Sequence, residues 1–407
     1  MDEVRLVSRR GLIAGIGAAT ALALAGCSGG SASASSGTGT GAGSSAASAS
    51  KKPADAVERL VGSLSLERKV AQLFIVTPEQ LTGVDAVTQA GDATRSALGR
   101  IPVGGICYFG QNITGEQQLR DLLAGTRDMA REAASGMAPF LTVDEEGGSL
   151  VARVANSGFF DVQRFPNMAQ IGASGDTDRA AQVGSVIGGY LHDIGFNLDF
   201  APVADVLTNP HNTVIGSRSF GSDPALVSSM VAAEVTAMAG TAVLPCAKHF
   251  PGHGDTAGDS HTGAVRSVRT RDQITDCELK PFEAAIKAGC PLIMVGHIET
   301  PNYAADGLPA SLSRVMMHDV LREQLGFTGC IVSDSFQMGA ITDRFGSADA
   351  AVRFLQAGGD IVLMPQDLQK AYEGVLTAVK GGSLSGERVD ESVRRVLAAK
   401  QRAGLIA

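Results

Sequence analysis

Eight short apolar runs punctuate the chain, at 72–76, 103–109, 139–143, 197–202, 243–249, 292–296, 330–333 and 360–364. Each has the length of a buried strand and is bounded by turn residues. Between them the apolar positions shift to helical spacing, at 116–134, 179–194, 224–239, 271–288, 314–325, 348–357 and 368–379, after an amphipathic lead-in over 54–66. Strands separated by helices pair in parallel, because a crossover helix returns the chain to the same end of the sheet. Eight such strands predict an α/β fold of the (β/α)8 TIM-barrel type, and residues 53–407 suffice for one such catalytic domain. The rival is an open, doubly wound sheet. No Gly-x-Gly-x-x-Gly opens a helix after the first run, so nothing favours nucleotide binding.

The polar residues fall in a telling place. Asp144 follows the third run, Asp205 the fourth, Lys248 and His249 end the fifth, His297 follows the sixth and Asp334 the seventh. In a barrel these positions share one mouth, where catalytic residues gather. Taken singly, Asp205 reads better as a structural carboxylate, and His297 reads equally well either way.

The densest chemistry lies in Lys248-His249-Phe250-Pro251-Gly252-His253-Gly254-Asp255-Thr256, continued by Asp259-Ser260-His261-Thr262-Gly263. Pro251, Gly252 and Gly254 exclude a regular helix, so these groups hang on an irregular loop. A solvated connection would be rich in Lys, Glu and Ser instead. A metal site would draw on His249, His253, Asp255, Asp259 and His261, but the His249/His253 spacing suits zinc only from a helix. The preferred reading is a catalytic loop in which Asp259 orients and charges His261 as a proton donor, while Lys248 and His249 grip substrate hydroxyls.

This stretch resembles the signature of family 3 glycoside hydrolases, and the Asp-Ser-His that follows resembles its β-N-acetylglucosaminidase branch, which acts in peptidoglycan turnover. The resemblance implies that Ser333-Asp334 is the nucleophile segment, with Asp334 forming the glycosyl-enzyme bond and His261, supported by Asp259, as acid/base. It also implies sugar-binding roles for Asp144 in Asp144-Glu145-Glu146-Gly147-Gly148, for Arg218 in Ile215-Gly216-Ser217-Arg218-Ser219-Phe220, and for Lys248 and His249. The Arg expected after Asp144 appears as Arg153, one place late, and Ser149 stands where a basic residue is frequent. Ser335 likewise replaces the Asp often found after the nucleophile. Larger glucosidases of the family take their acid from a second domain, for which the chain has no room before Ala407.

A chain with 44% apolar and 19% charged residues has ample material for a core. Its net charge of −8 argues against nucleic acid and against electrostatic docking on anionic lipid or wall polymer. With no Trp and four Tyr, a long aromatic platform for polysaccharide is not expected, and a pocket for one terminal sugar fits better. Attachment is expected from the N-terminus: a twin-arginine start at Ser8-Arg9-Arg10, an apolar run to Ala25, and Leu24-Ala25-Gly26-Cys27, which resembles a lipobox. Residues 1–27 read as signal peptide with Cys27 lipidated, and 28–52 as a Gly/Ser/Ala-rich tether holding the domain at the outer face of the cytoplasmic membrane. Cys107, Cys246, Cys277, Cys290 and Cys330 read as small buried hydrophobes whose pairing, if any, the spacing does not specify.

Together these features describe a membrane-tethered retaining β-N-acetylhexosaminidase, acting as a monomer on N-acetylglucosamine-containing glycans or muropeptides without cofactor or metal. A phosphorylase or β-glucosidase on the same fold, and a non-catalytic sugar-binding lipoprotein, remain as alternatives.

Overall fold

The computed structural model describes residues 53–258, 260 and 263–406. The twin-arginine start, Cys27 and the 28–52 tether lie outside the described residues, as do Asp259 and His261. All eight apolar runs are strands: β1 (Phe74–Val76), β2 (Gly105–Cys107), β3 (Phe140–Val143), β4 (Leu198–Asp199), β5 (Leu244–Phe250), β6 (Leu292–Val295), β7 (Cys330–Ser333) and β8 (Val362–Leu363). They form one parallel sheet in the order β7-β6-β5-β4-β3-β2-β1-β8. A parallel bridge between Val332 and Ile361 joins its two ends, which makes the sheet a (β/α)8 barrel. The strands are buried along their length, as strands covered on both faces must be.

The helical layer departs from the sequence reading in several places, among them a π-helix at Val315–Gln324 within the stretch expected to be helical and an unexpected helix at Met168–Ala173. Where one helix was expected over 271–288, the chain forms a turn at Arg271–Gln273, a π-helical turn at Ile274–Glu278 and a helix at Lys280–Lys287. Pro281 lacks an N–H and its ring would press on the carbonyl four residues back, so the helix widens there, and Leu279 N–H reaches back to Ile274 O at 3.0 Å. Two further helices, Pro78–Thr82 and Asp92–Arg100, occupy the β1–β2 connection, the first under a capping box between Thr77 and Gln80. A third, Gly386–Arg402, closes the barrel's N-terminal end through Val389, Val393, Val396, Leu397 and Lys400. Its buried stripe has the spacing of an amphipathic helix, although no strand follows to demand one.

The five cysteines of the described domain are free, and all but Cys277 are buried, as small hydrophobes. Asp360, at the start of the eighth run, is buried among Arg322, Arg388 and Arg395 and accepts from Ile331 N–H and the Ser392 hydroxyl. This network ties the last helix to β7 at the end away from the mouth.

Candidate active site

A cavity of about 600 Å³ opens at the C-terminal ends of the strands. Asp144, Arg153, Arg218, Lys248, His249 and Asp334 all line it, on segments far apart in sequence that the barrel brings together.

At its centre lies a charge network. Lys248 Nζ is 2.6 Å from both Asp144 Oδ1 and Glu146 Oε1. Arg218 pairs with Glu146 through Nε at 2.8 Å and Nη2 at 2.7 Å, a two-point contact that sets the plane of the guanidinium. Burial pushes the Glu146 carboxyl up, but Lys248 and Arg218 outweigh it and bring it down to about 2. Burial likewise works against the Lys248 ammonium, and Asp144 and Glu146 more than compensate, so its pKa lies above the ordinary lysine value. Glu146 is therefore the hub that aims two cations. The sequence reading passed over it, although it stands inside the quoted Asp144–Gly148 motif; only its burial between Lys248 and Arg218 distinguishes it from neighbouring Glu145.

Glu145 is spent on structure. Its oxygens accept from the Val154 and Ala155 N–H groups and from the Tyr190 hydroxyl, holding the hairpin of Glu145–Gly147 and Val151–Ala152. A bulge between Glu145 and Gly147 adds a residue to the first arm of that hairpin. Beyond it, Arg153 sits half-buried in the cavity wall with its guanidinium 5.7 Å from the Phe109 ring centroid and Nε without a hydrogen-bond partner. The one-residue delay in the sequence thus does not keep Arg153 from the mouth.

Asp205 is structural. Its Oδ2 is 2.8 Å from His249 Nδ1, and its Oδ1 accepts from the His249 and His253 N–H groups at 3.2 and 2.7 Å. One buried carboxylate thereby orients the His249 ring and starts the loop that follows β5. His253 turns its Nδ1 to the Thr256 hydroxyl at 2.7 Å, and Asp255 faces Ser267, Thr208 and Arg269. The described members of the alternative metal set are each engaged elsewhere.

Asp334 follows β7 directly, 7% exposed. Its backbone N–H donates to Val295 O and its Oδ1 accepts from Ser335 N–H at 2.8 Å. Burial raises its pKa, but His249, His297, the Ser335 N–H and Lys248 together bring it below the usual aspartate value. Asp334 is thereby held as an ionised carboxylate facing the cavity. His297, buried beneath, hydrogen-bonds the Ser311 hydroxyl at 2.7 Å and Ser335 O at 2.9 Å, so it steadies the segment after Asp334 from below.

Asp259 and His261 lie outside the described residues, and Ser260 stands between them in the chain. Ser260 is 2% exposed, its carbonyl accepts from Ala340 N–H at 3.2 Å, and its hydroxyl lies against Met338 Sδ at 3.8 Å and His253 Nε2 at 3.4 Å. Ser260 thus rests on the segment that follows Asp334.

Residues 65–399 match the Glycosyl hydrolase family 3 N terminal domain. The chain belongs to glycosyl hydrolase family 3. It is 34% identical over 341 residues to Beta-hexosaminidase A of Pseudoalteromonas piscicida, across 78% of this chain and 56% of that protein. It is 33% identical over 350 residues to Beta-hexosaminidase LpqI of Mycobacterium tuberculosis, across 83% of each. In three dimensions it is similar to a glycoside hydrolase family 3 beta-N-acetylglucosaminidase from Paenibacillus sp. str. FPU-7, with a TM-score of 0.78 and 35% identity over 84% of this chain and 63% of that one.

Proposed function

We propose that the chain is a retaining, exo-acting β-N-acetylhexosaminidase that releases terminal N-acetylglucosamine from peptidoglycan-derived glycans. The observation that carries the reading is Asp334: a desolvated carboxylate held ionised in the mouth, facing a cavity whose wall already holds aimed cations and acceptors. A protein that only binds sugar has no use for such a group. Asp144, Lys248, His249 and Arg218 grip the hydroxyls of one terminal sugar, and Arg153 joins them from the hairpin. In the first step Asp334 Oδ forms a bond to the anomeric carbon as the bond to the leaving oxygen breaks, and His261 gives that oxygen its proton. In the second, water attacks the same carbon, the ester to Asp334 breaks, and His261, neutral after the first step and oriented by Asp259, takes the water's proton. The names of the similar proteins support N-acetylglucosamine as the sugar. The cavity's size suits a small ligand instead of a polymer.

The test sets aryl β-N-acetylglucosaminide against aryl β-glucoside, in phosphate-free buffer and with added phosphate. Hydrolysis of the first by roughly 100-fold or more over the second, the discrimination available when a site pairs an amide group, supports the reading. Equal rates favour a β-glucosidase, and sugar phosphate as the product favours a phosphorylase. In single-turnover measurements on His261→Ala, glycosylation falls by roughly 100-fold or more with poor leaving groups and little with activated aryl ones. An equal loss for all leaving groups removes His261 as the acid.

The reading places the enzyme outside the cytoplasmic membrane as a monomer, tethered through a lipid on Cys27 and the 28–52 linker. Cys27→Ala then leaves the protein unlipidated and shifts it from the membrane fraction on cell fractionation. A wild-type protein found free in the medium with Cys27 unmodified refutes the tether.

A further inference from the structure

Glu278 is 2% exposed, with Arg269 and the Cys277 thiol beside its carboxylate, and burial raises its pKa to about 7, so that above that pH it is a buried charge. A buried acid so placed is costly, and an apolar side chain would fill the same space without that cost. Arg269 Nε lies 3.0 Å from Glu278 Oε1. Arg269 also reaches toward Asp255, with Nη1 3.9 Å from Oδ1, and Asp255 Oδ2 accepts from the Ser267 hydroxyl at 2.7 Å. Asp255 and Ser267 are the two stems of the loop that carries Asp259 and His261. The first stem also touches Glu278 directly: Gly252 has φ +131°, and a Cβ there would fall 2.7 Å from the Glu278 Cβ. Glu278 itself closes the π-helical turn Ile274–Glu278, the shorter of two π-helical segments among the described residues, the other being Val315–Gln324.

We infer that the Glu278–Arg269 pair is a brace that sets the register of the acid/base loop, so that Glu278 is a positioning residue for proton transfer to the leaving group. The inference rests on the reading of His261 as the acid/base. A general acid must come within about 3 Å of the oxygen it protonates, and a displacement of about 1 Å can cost 100-fold in rate. Without the charge on Glu278, Arg269 is left to Asp255 alone, and both stems lose their common post.

The experiment measures single-turnover glycosylation for Glu278→Gln and Arg269→Gln with leaving groups of graded pKa, in the wild-type and His261→Ala backgrounds. The expected result is a loss of roughly 10- to 100-fold with alkyl or sugar leaving groups, only a few-fold with dinitrophenyl, and substrate affinity unchanged within about twofold because the gripping residues are untouched. In the His261→Ala background either substitution adds less than about twofold, since a brace acts only through the group it holds. Glu278→Leu, which leaves no buried acid, gives the same pattern and replaces Glu278→Gln if that variant does not fold. An equal loss for all leaving groups, or a full further loss on His261→Ala, overturns the brace while leaving His261 in place. If His261→Ala itself shows no dependence on the leaving group, the acid/base assignment fails, and the brace fails with it.

Discussion

Asp334→Ala yields a folded protein whose kcat on an aryl β-N-acetylglucosaminide is lower by roughly four orders of magnitude or more, the scale seen when a covalent nucleophile is removed. The fold should survive for a local reason. The Asp334 side chain accepts one hydrogen bond, from its neighbour Ser335, and the Asp334 N–H to Val295 O that extends the β7–β6 ladder belongs to the backbone. Removing a desolvated charge in the mouth therefore takes little from the core. Sugar affinity should also survive, because the Lys248–Glu146–Arg218 network stands without Asp334. A further signature separates a nucleophile from a carboxylate that merely stabilises charge. The space vacated on the Asp334 side admits a small anion such as azide, which attacks the anomeric carbon from that face and gives an α-glycosyl azide instead of the β-configured product of retention. Restored turnover with an α product identifies the group that was removed. A folded variant with near-wild-type kcat, or azide rescue giving β product, takes Asp334 out of the mechanism.

The barrel was legible because its signal is redundant. Eight runs rich in Val, Ile, Leu and Phe recur between helical stretches, and an error in any one boundary leaves the order intact. β4 shows how little each boundary matters: the run at 197–202 pairs regularly only over Leu198–Asp199, yet it lies in its place between β3 and β5. The helix after β5 was read as continuous over 271–288 because its apolar spacing holds throughout, whereas Pro281 interrupts the hydrogen-bond ladder and the chain takes a π turn at Ile274–Glu278.

The site was legible to the extent that its chemistry sits at strand ends. Asp144, Lys248, His249 and Asp334 each follow or end an apolar run, so the fold alone aims them at one cavity. Glu146 shows the limit. It is a carboxylate among other carboxylates, and what separates the hub that aims Lys248 and Arg218 from the hairpin acceptor Glu145 is which cations arrive from other strands. That information is tertiary. Glu278 was hidden for the same reason: its partner Arg269 and its contact Gly252 approach from the loop after β5, and no local pattern in 271–288 marks the position.

Lys400→Met should stabilise the protein, and by an amount that depends on pH. Lys400 lies on the helix Gly386–Arg402 at the barrel's closed end, 1% exposed, with its Nζ 2.6 Å from Gln72 Oε1 and 5.3 Å from the Phe140 ring centroid. No carboxylate is paired with it among the described residues, and burial lowers its pKa from 10.5 to about 7. Below pH 7 the ammonium is protonated in both folded and unfolded chains, and the folded state carries the whole desolvation penalty, on the order of 5 kcal/mol for a depression of that size. Between about pH 7 and 10.5 the unfolded chain binds more protons than the folded one, so wild-type stability rises with pH from this group. Above that window both states are neutral and the penalty is gone. Methionine has similar length and no charge, but it leaves Gln72 Oε1 without its donor, which costs about 1–3 kcal/mol. The net gain at pH 6 should then be about 2–4 kcal/mol, shrinking and turning to a loss of about 1–3 kcal/mol by pH 10.5 as the lost hydrogen bond comes to dominate. Urea midpoints for the two proteins, measured in steps from pH 6 to 10.5, should cross within that window. Curves that run parallel across it would mean that the Gln72 and Phe140 contacts already compensate the charge, and that Lys400 sits at the barrel's base without strain on the fold.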